Sequence, residues 1–248
     1  MKKFNKTLRP LDRDPSSCYM LDTLPKDIDK EIDSLLKPLI KSNFKKGFKI
    51  NHSLAGQINN EYALEPSPKL YDYIFDGCNT YLTKYPILIE RERRKFLPHQ
   101  PEFVPDITME TLWVNFQKKH EYNPPHSHSG LVSFVIWYKI PYLFKDEATK
   151  GPGKYADGVR TVNTKKDNYE ENFNGTFSFL HPDVSFQPYL TGQIIPIDKT
   201  FEKTICFFPS HLYHSVNPFY TSDDYRISLS ANIFFVNQFK HHATDNRN

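Results

Sequence analysis

The feature that most constrains this chain is a change of hydrophobic period near residue 110. Beyond it, short runs rich in β-branched and aromatic residues recur with no helical stretch between them. They are Thr111–Gln117, Leu131–Ile140, Thr176–Leu180, Gln193–Ile197, Thr204–Phe208 and Tyr225–Val236. Such side chains suit a pleated, half-buried surface. Several of them at turn-rich spacing predict an antiparallel sandwich or barrel, mainly β, rather than alternating βαβ units. Composition agrees, with 20 Phe, 15 Tyr and 19 Pro against only 9 Gly, because proline closes strands and is excluded from helix interiors.

The first half reads differently. Residues 1–23 are polar and irregular and are expected to form a surface arm. From Pro25, Ile28, Ile32, Leu35, Leu36, Leu39 and Ile40 recur at three- and four-residue steps, which predicts a helix that Pro38 ends or kinks near Lys37. A second helix is predicted over Pro68–Lys84, with Ser67 as its N-cap. The segment Asn51–Ile58 between them reads as a loop. These helices are expected to pack outside the sheet, giving one domain over 1–248: an arm and supporting helices at 1–109, a β core at 110–236 and a tail at 237–248. Residues 145–174 are polar and charged, a flexible loop or a lid over substrate.

Several classes are excluded. With 32 basic and 29 acidic side chains, the net charge of +3 argues against a nucleic-acid partner. The basic cluster Arg91, Arg93, Arg94 and Lys95 reads as a solvated patch. The apolar run Leu131–Tyr138 is too short to span a bilayer, and the basic residues after Met1 have no apolar stretch behind them. Three distant cysteines, Cys18, Cys78 and Cys206, predict a reduced, cytoplasmic protein. Oligomeric state stays open.

Three segments carry chemistry. In Pro124-Pro125-His126-Ser127-His128-Ser129-Gly130, residues two apart on extended backbone point to one side, so His126 and His128 can aim at one ion. An His-x-His pair is also what two surface histidines beside a proline turn look like. In Thr204 to Val216, an apolar run is broken by Pro209 and then presents His211 or His214; a satisfied core histidine is the competing reading. In Arg226-Ile227-Ser228-Leu229-Ser230-Ala231-Asn232, an arginine in an apolar strand calls for an anionic partner, with Ser228 on the same face to assist. That partner is a bound carboxylate or a structural acid such as Asp223 or Asp224.

The order His-x-His, Phe-Pro-Ser-x-x-x-His, Arg-x-Ser over residues 110–236 resembles the Fe(II)/2-oxoglutarate-dependent dioxygenase superfamily, especially the small prolyl-hydroxylase-like members of marine phages and bacteria. Leu54-Ala55-Gly56-Gln57-Ile58 with Glu61-Tyr62 adds a weaker likeness. The resemblance implies a double-stranded β-helix (jelly-roll) with N-terminal helices packed on one sheet, a cytoplasmic site in a host cell if the protein is viral, and no membrane. It implies an iron held by His126 and His214, and 2-oxoglutarate bound by Arg226 and Ser228. It also implies O2 and an unidentified substrate, peptidyl or amino-acid, hydroxylated with release of succinate and CO2. Asn115, Tyr122, Trp137 and Tyr138 flank the motifs as pocket candidates. The family usually carries an acid at position 128. A three-histidine centre including His128, a two-histidine centre with His128 turned away, and a carboxylate from elsewhere all stay open. A cupin-type metalloprotein is the runner-up, lacking the downstream glutamate and the glycine between Pro209 and His214. A non-catalytic jelly-roll binding module with a degenerate metal site is the reading from another class.

Overall fold

The structure, a computed structural model, describes residues 1–11, 14–51, 56–96, 106–151, 173–183 and 189–236. Its larger sheet has nine strands. In spatial order they are β1 (Thr7–Leu11), β2 (Asp14–Thr23), β11 (Thr204–Pro209), β8 (Val132–Lys139), β13 (Arg226–Phe235), β6 (Leu112–Gln117), β4 (Glu61–Leu64) and β3 (Phe48–Lys49), with β5 (Ile107–Met109) also paired to β13. The smaller sheet runs β10 (Tyr189–Ile195), β9 (Phe177–Asp183), β12 (Tyr213–Val216), β7 (Asn123–His126). From β6 onward the chain crosses between the sheets at every step except β9 to β10, and every pairing among the described residues is antiparallel. This is the double-stranded β-helix, with helices on the outer face of the larger sheet.

Strand alternation builds both layers. On β13, Ile227, Leu229, Ala231 and Ile233 join Phe134 and Ile136 of β8 against α1 (Lys26–Lys41) and α2 (Pro68–Lys84). Those helices supply Ile28, Ile32, Leu36 and Leu39, and Leu70, Ile74, Cys78 and Tyr81. Each such aliphatic side chain withdrawn from water contributes about 1.5–3 kcal/mol. The opposite face packs Trp137, Phe177, Phe179 and Phe208 between the sheets. The second helix begins as its sequence predicts: Ser67 Oγ accepts from Leu70 N at 3.2 Å, with Pro68 in the first turn. Gly77 lets α2 close on β11, since a Cβ there would stand 2.6 Å from the Phe207 ring.

Several expectations need correction. Residues 1–23 contain β1 and β2, and β2 pairs with β11 inside the larger sheet. Cys18 and Met20 face the helices while Tyr19 and Leu21 face the other sheet, so both faces are buried and no polar alternation marks the strand. Pro38 does not end α1 near Lys37; the helix runs on to Lys41 and closes one turn after the proline, with Ser42 N donating to Pro38 O at 3.1 Å. A third helix, α3 (Ile87–Phe96), was not anticipated. It carries the basic cluster, of which the side chains of Arg93, Arg94 and Lys95 lie outside the described residues. Residues 145–150 form most of helix α4 (Phe144–Lys150). Residues 152–172, most of the loop or lid, and the tail from 237 lie outside the described residues, as do 52–55 of the Asn51–Ile58 loop. No helix among the described residues is long and apolar enough to cross a membrane.

Candidate metal centre

The two histidine motifs become neighbouring strands of the smaller sheet. Strand β7 lies at the sheet edge, where one of Pro124 and Pro125 can face away from the ladder, and its pairing with β12 shifts register between His214 and Val216 beside the other. Its end residue His126 is paired in register with His214 of β12. Two residues on, His128 N donates to Ser210 O at 2.8 Å, tying the turn to the exit of β11. Gly130 completes that turn at φ +110°, where a Cβ would stand 3.0 Å from Ile233 O.

The result is a convergence of three imidazoles. Ring centroids are 4.9 Å apart for His126 and His128, 4.3 Å for His126 and His214, and 5.0 Å for His128 and His214. Their ligand-type nitrogens all lie within 4.8 Å of one another. His128 is therefore turned towards its neighbours. His211 does not join the group. His126 Nδ1 lies 2.7 Å from Pro124 O and His214 Nδ1 2.9 Å from Leu212 O. A carbonyl only accepts, so both Nδ1 atoms carry the proton and both Nε2 lone pairs are free. Burial lowers all three affinities for a second proton. His128 is held down at about 4, first by desolvation and then by His126, and His214 lies well below its ordinary value for the same reasons. His126 is lowered by desolvation, against an opposing bond to Pro124. Three neutral imidazoles gathered this closely fit a divalent transition metal such as iron.

A small cavity of about 50 Å³ opens in front of them. Asn115 and Ser228, two of the candidates, line it together with the three histidines, Glu61 and Asn232. Arg226 is not on its wall. It is 2% exposed, and its guanidinium donates to Gln117 Oε1 (2.9 and 2.5 Å), Tyr142 Oη (2.5 Å), Gly175 O (3.3 Å) and Asn217 O (2.9 Å). All four acceptors are uncharged, so neither Asp223 nor Asp224 is its partner. Tyr138 faces the helices, where its hydroxyl donates to Asp33 Oδ1 at 2.6 Å, because its position on β8 has the parity of Ile136. Trp137 has the other parity and packs between the sheets, and Tyr122 is exposed; neither reaches the cavity wall.

Sequence reasoning passed over Ser133, Ser210 and Asn232. Ser133 Oγ donates to Asn232 Oδ1 at 2.8 Å and lies 2.9 Å from Ser210 Oγ, a buried network bracing the cavity floor. Asn232 shares the parity of Ser228 on β13, which was the available signal. Glu61 also went unnoticed as a wall residue; an acid at the head of a short apolar strand was its only mark.

Residues 111–232 match the family described as "Putative 2OG-Fe(II) oxygenase". Among curated proteins, no relative matches the chain. Among solved structures, the viral collagen prolyl hydroxylase vCPH from Paramecium Bursaria Chlorella virus-1, in its 2OG complex, is 13% identical with a TM-score of 0.40, covering 87% of this chain and 94% of that one. A Pseudomonas putida prolyl-4-hydroxylase is 11% identical with a TM-score of 0.39, covering 86% and 90%. A 2OG-Fe(II) oxygenase family oxidoreductase from Burkholderia pseudomallei is 12% identical with a TM-score of 0.42, covering 88% and 85%. Residues 111–232 carry the 2OG-Fe(II) oxygenase match, and the chain is an oxygenase whose cofactors are Fe(II) and 2-oxoglutarate.

Proposed function

We propose that this oxygenase hydroxylates a C–H bond of a peptidyl or amino-acid substrate, with His126, His128 and His214 as its iron ligands. The observation that carries the reading is the meeting of three neutral imidazoles, nearly ninety positions apart in sequence, at the wall of one cavity. When bound, Fe(II) with 2-oxoglutarate and O2 supplies the oxidising power that turns C–H into C–OH and releases succinate and CO2.

The chain's own residues do the rest. The carbonyls of Pro124 and Leu212 hold the tautomer and orientation of His126 and His214, so little reorganisation accompanies metal capture. Phe177 and Phe208 pack on His214, at centroid distances of 5.6 and 4.9 Å, and keep water from that side. A histidine at position 128 in place of an acid leaves the centre one unit more positive, which favours a dianionic cosubstrate. Ser228 donates from the wall to the far carboxylate. Arg226 stands behind the wall with a charge that no contacting carboxylate cancels, and attracts that same carboxylate.

Anaerobic titration with Fe(II) and 2-oxoglutarate, followed by visible absorption, tests this. A metal-to-ligand band is expected in the wild type and is lost in His214→Ala. His128→Asp keeps iron, and Arg226→Gln weakens 2-oxoglutarate at least tenfold while leaving iron binding in place. A wild type that shows no band would overturn the proposal.

A further inference from the structure

Glu61 and Asn115 are unaccounted for by the metal centre. Glu61 of β4 lies opposite Asn115 of β6 in register, and Asn115 lies opposite Ser228 of β13. Both side chains line the cavity with the histidines. Glu61 is 2% exposed and Asn115 8%, yet Glu61 Oε1 and Asn115 Oδ1 have no hydrogen-bond partner. Leaving a buried acceptor unmet costs roughly 1–3 kcal/mol, more when it is charged. Two such atoms side by side on one cavity wall call for a ligand that brings donors.

The charge of the surroundings says which donors. No lysine or arginine is among the described residues lining this cavity. Burial first, and then a second acid, Glu121, push the Glu61 carboxyl up to about 7, and Lys49 opposes this only in part. Glu61 is not a missing iron ligand, since the nitrogens that gather within 4.8 Å are those of the three histidines alone. We propose that Glu61 and Asn115 are the docking point for a nitrogen cation of the substrate, a primary ammonium or guanidinium group. A nitrogen cation satisfies both acceptors at once and neutralises the carboxylate, which a hydroxyl or a single amide N–H does not. This rests on the hydroxylase reading above, and it makes the substrate a basic molecule: a lysine- or arginine-like side chain, or a free amino terminus.

The test uses the protein loaded anaerobically with Fe(II) and 2-oxoglutarate, and two probes of similar shape, n-butylammonium and n-butanol. Ligand-observed NMR measures both affinities, and the visible band is recorded on the same samples. The wild type is expected to prefer the ammonium at least tenfold. Glu61→Gln, which keeps the shape and removes the charge, should bring the ratio close to one while the band persists. Glu61→Asp guards against a folding artefact by keeping the charge, and should retain a preference above that of the glutamine variant. A band with no preference in the wild type, or a preference that survives Glu61→Gln, overturns the docking assignment and leaves the iron site standing. Absence of the band in the wild type overturns the hydroxylase reading on which it rests.

Discussion

The two faces of the nine-stranded sheet are cut from the same strands and do opposite work. Towards the helices, β13 presents Ile227, Leu229, Ala231 and Ile233, and β8 presents Phe134, Ile136 and Tyr138. Towards the smaller sheet, β13 presents Ser228, Ser230 and Asn232 to the cavity, and Arg226 beside it. Apolar burial on one face supplies stability, so the other can hold an arginine and a carboxyl away from water, opposite the imidazoles carried by β7, the turn after it and β12. A one-residue slip of β13 would exchange the two sets, which is why register here is strongly specified.

The largest effect expected from breaking this division is at the metal. His214→Ala should lower iron affinity by roughly 100-fold or more; because the ring is buried against Phe177 and Phe208, Tm without metal falls as well, and a wild-type iron affinity in the folded variant would remove His214 from the site. Next is the helix-facing side. Leu229→Ala should cost about 2–5 kcal/mol, a fall in Tm on the order of 10 °C. Iron affinity of the folded fraction should stay at the wild-type value, and a parallel loss of iron would show that the two faces are coupled.

Two smaller effects follow from protonation. The buried histidines have folded affinities for protons below the unfolded value of 6.5, with His128 at about 4. The unfolded chain therefore binds more protons between those limits. Metal-free protein should be most stable above about pH 6.5 and lose that contribution as pH falls towards 4, checked by denaturant melts across the range. Glu61 has the opposite sign, with a folded value near 7 against 4.5. Its charge weakens the fold as pH rises through that window, so Glu61→Gln should raise Tm by roughly 2–4 °C at pH 8 and by little at pH 5. A Tm gain that is equal at both pH values would locate the effect elsewhere than the carboxyl charge.

Much of this arrangement was written in local pattern. The periods of β6, β8, β11 and β13, the Ser67-Pro68 start of α2 and the His-x-His spacing depend on sterics and hydrogen bonds among near neighbours, and residue order records those directly. The short strands β7 and β12 are absent from the predicted strands, since two prolines in the one and four residues in the other leave no period to detect. Strand β2 was hidden for another reason: apolar partners on both of its faces erase the alternation that marks a half-buried strand.

By itself the sequence determined the β-rich architecture, the supporting helices and the identity of the residues able to bind a metal. Tertiary structure alone decided that His128 turns inward with His126 and His214, that Arg226 rests on Gln117, Tyr142, Gly175 and Asn217, and that Glu61 reaches the same cavity from outside the matched segment. The physical reason is that desolvation and hydrogen-bond satisfaction depend on which remote segments close over a side chain. That information belongs to the packed molecule, and no window along the chain contains it.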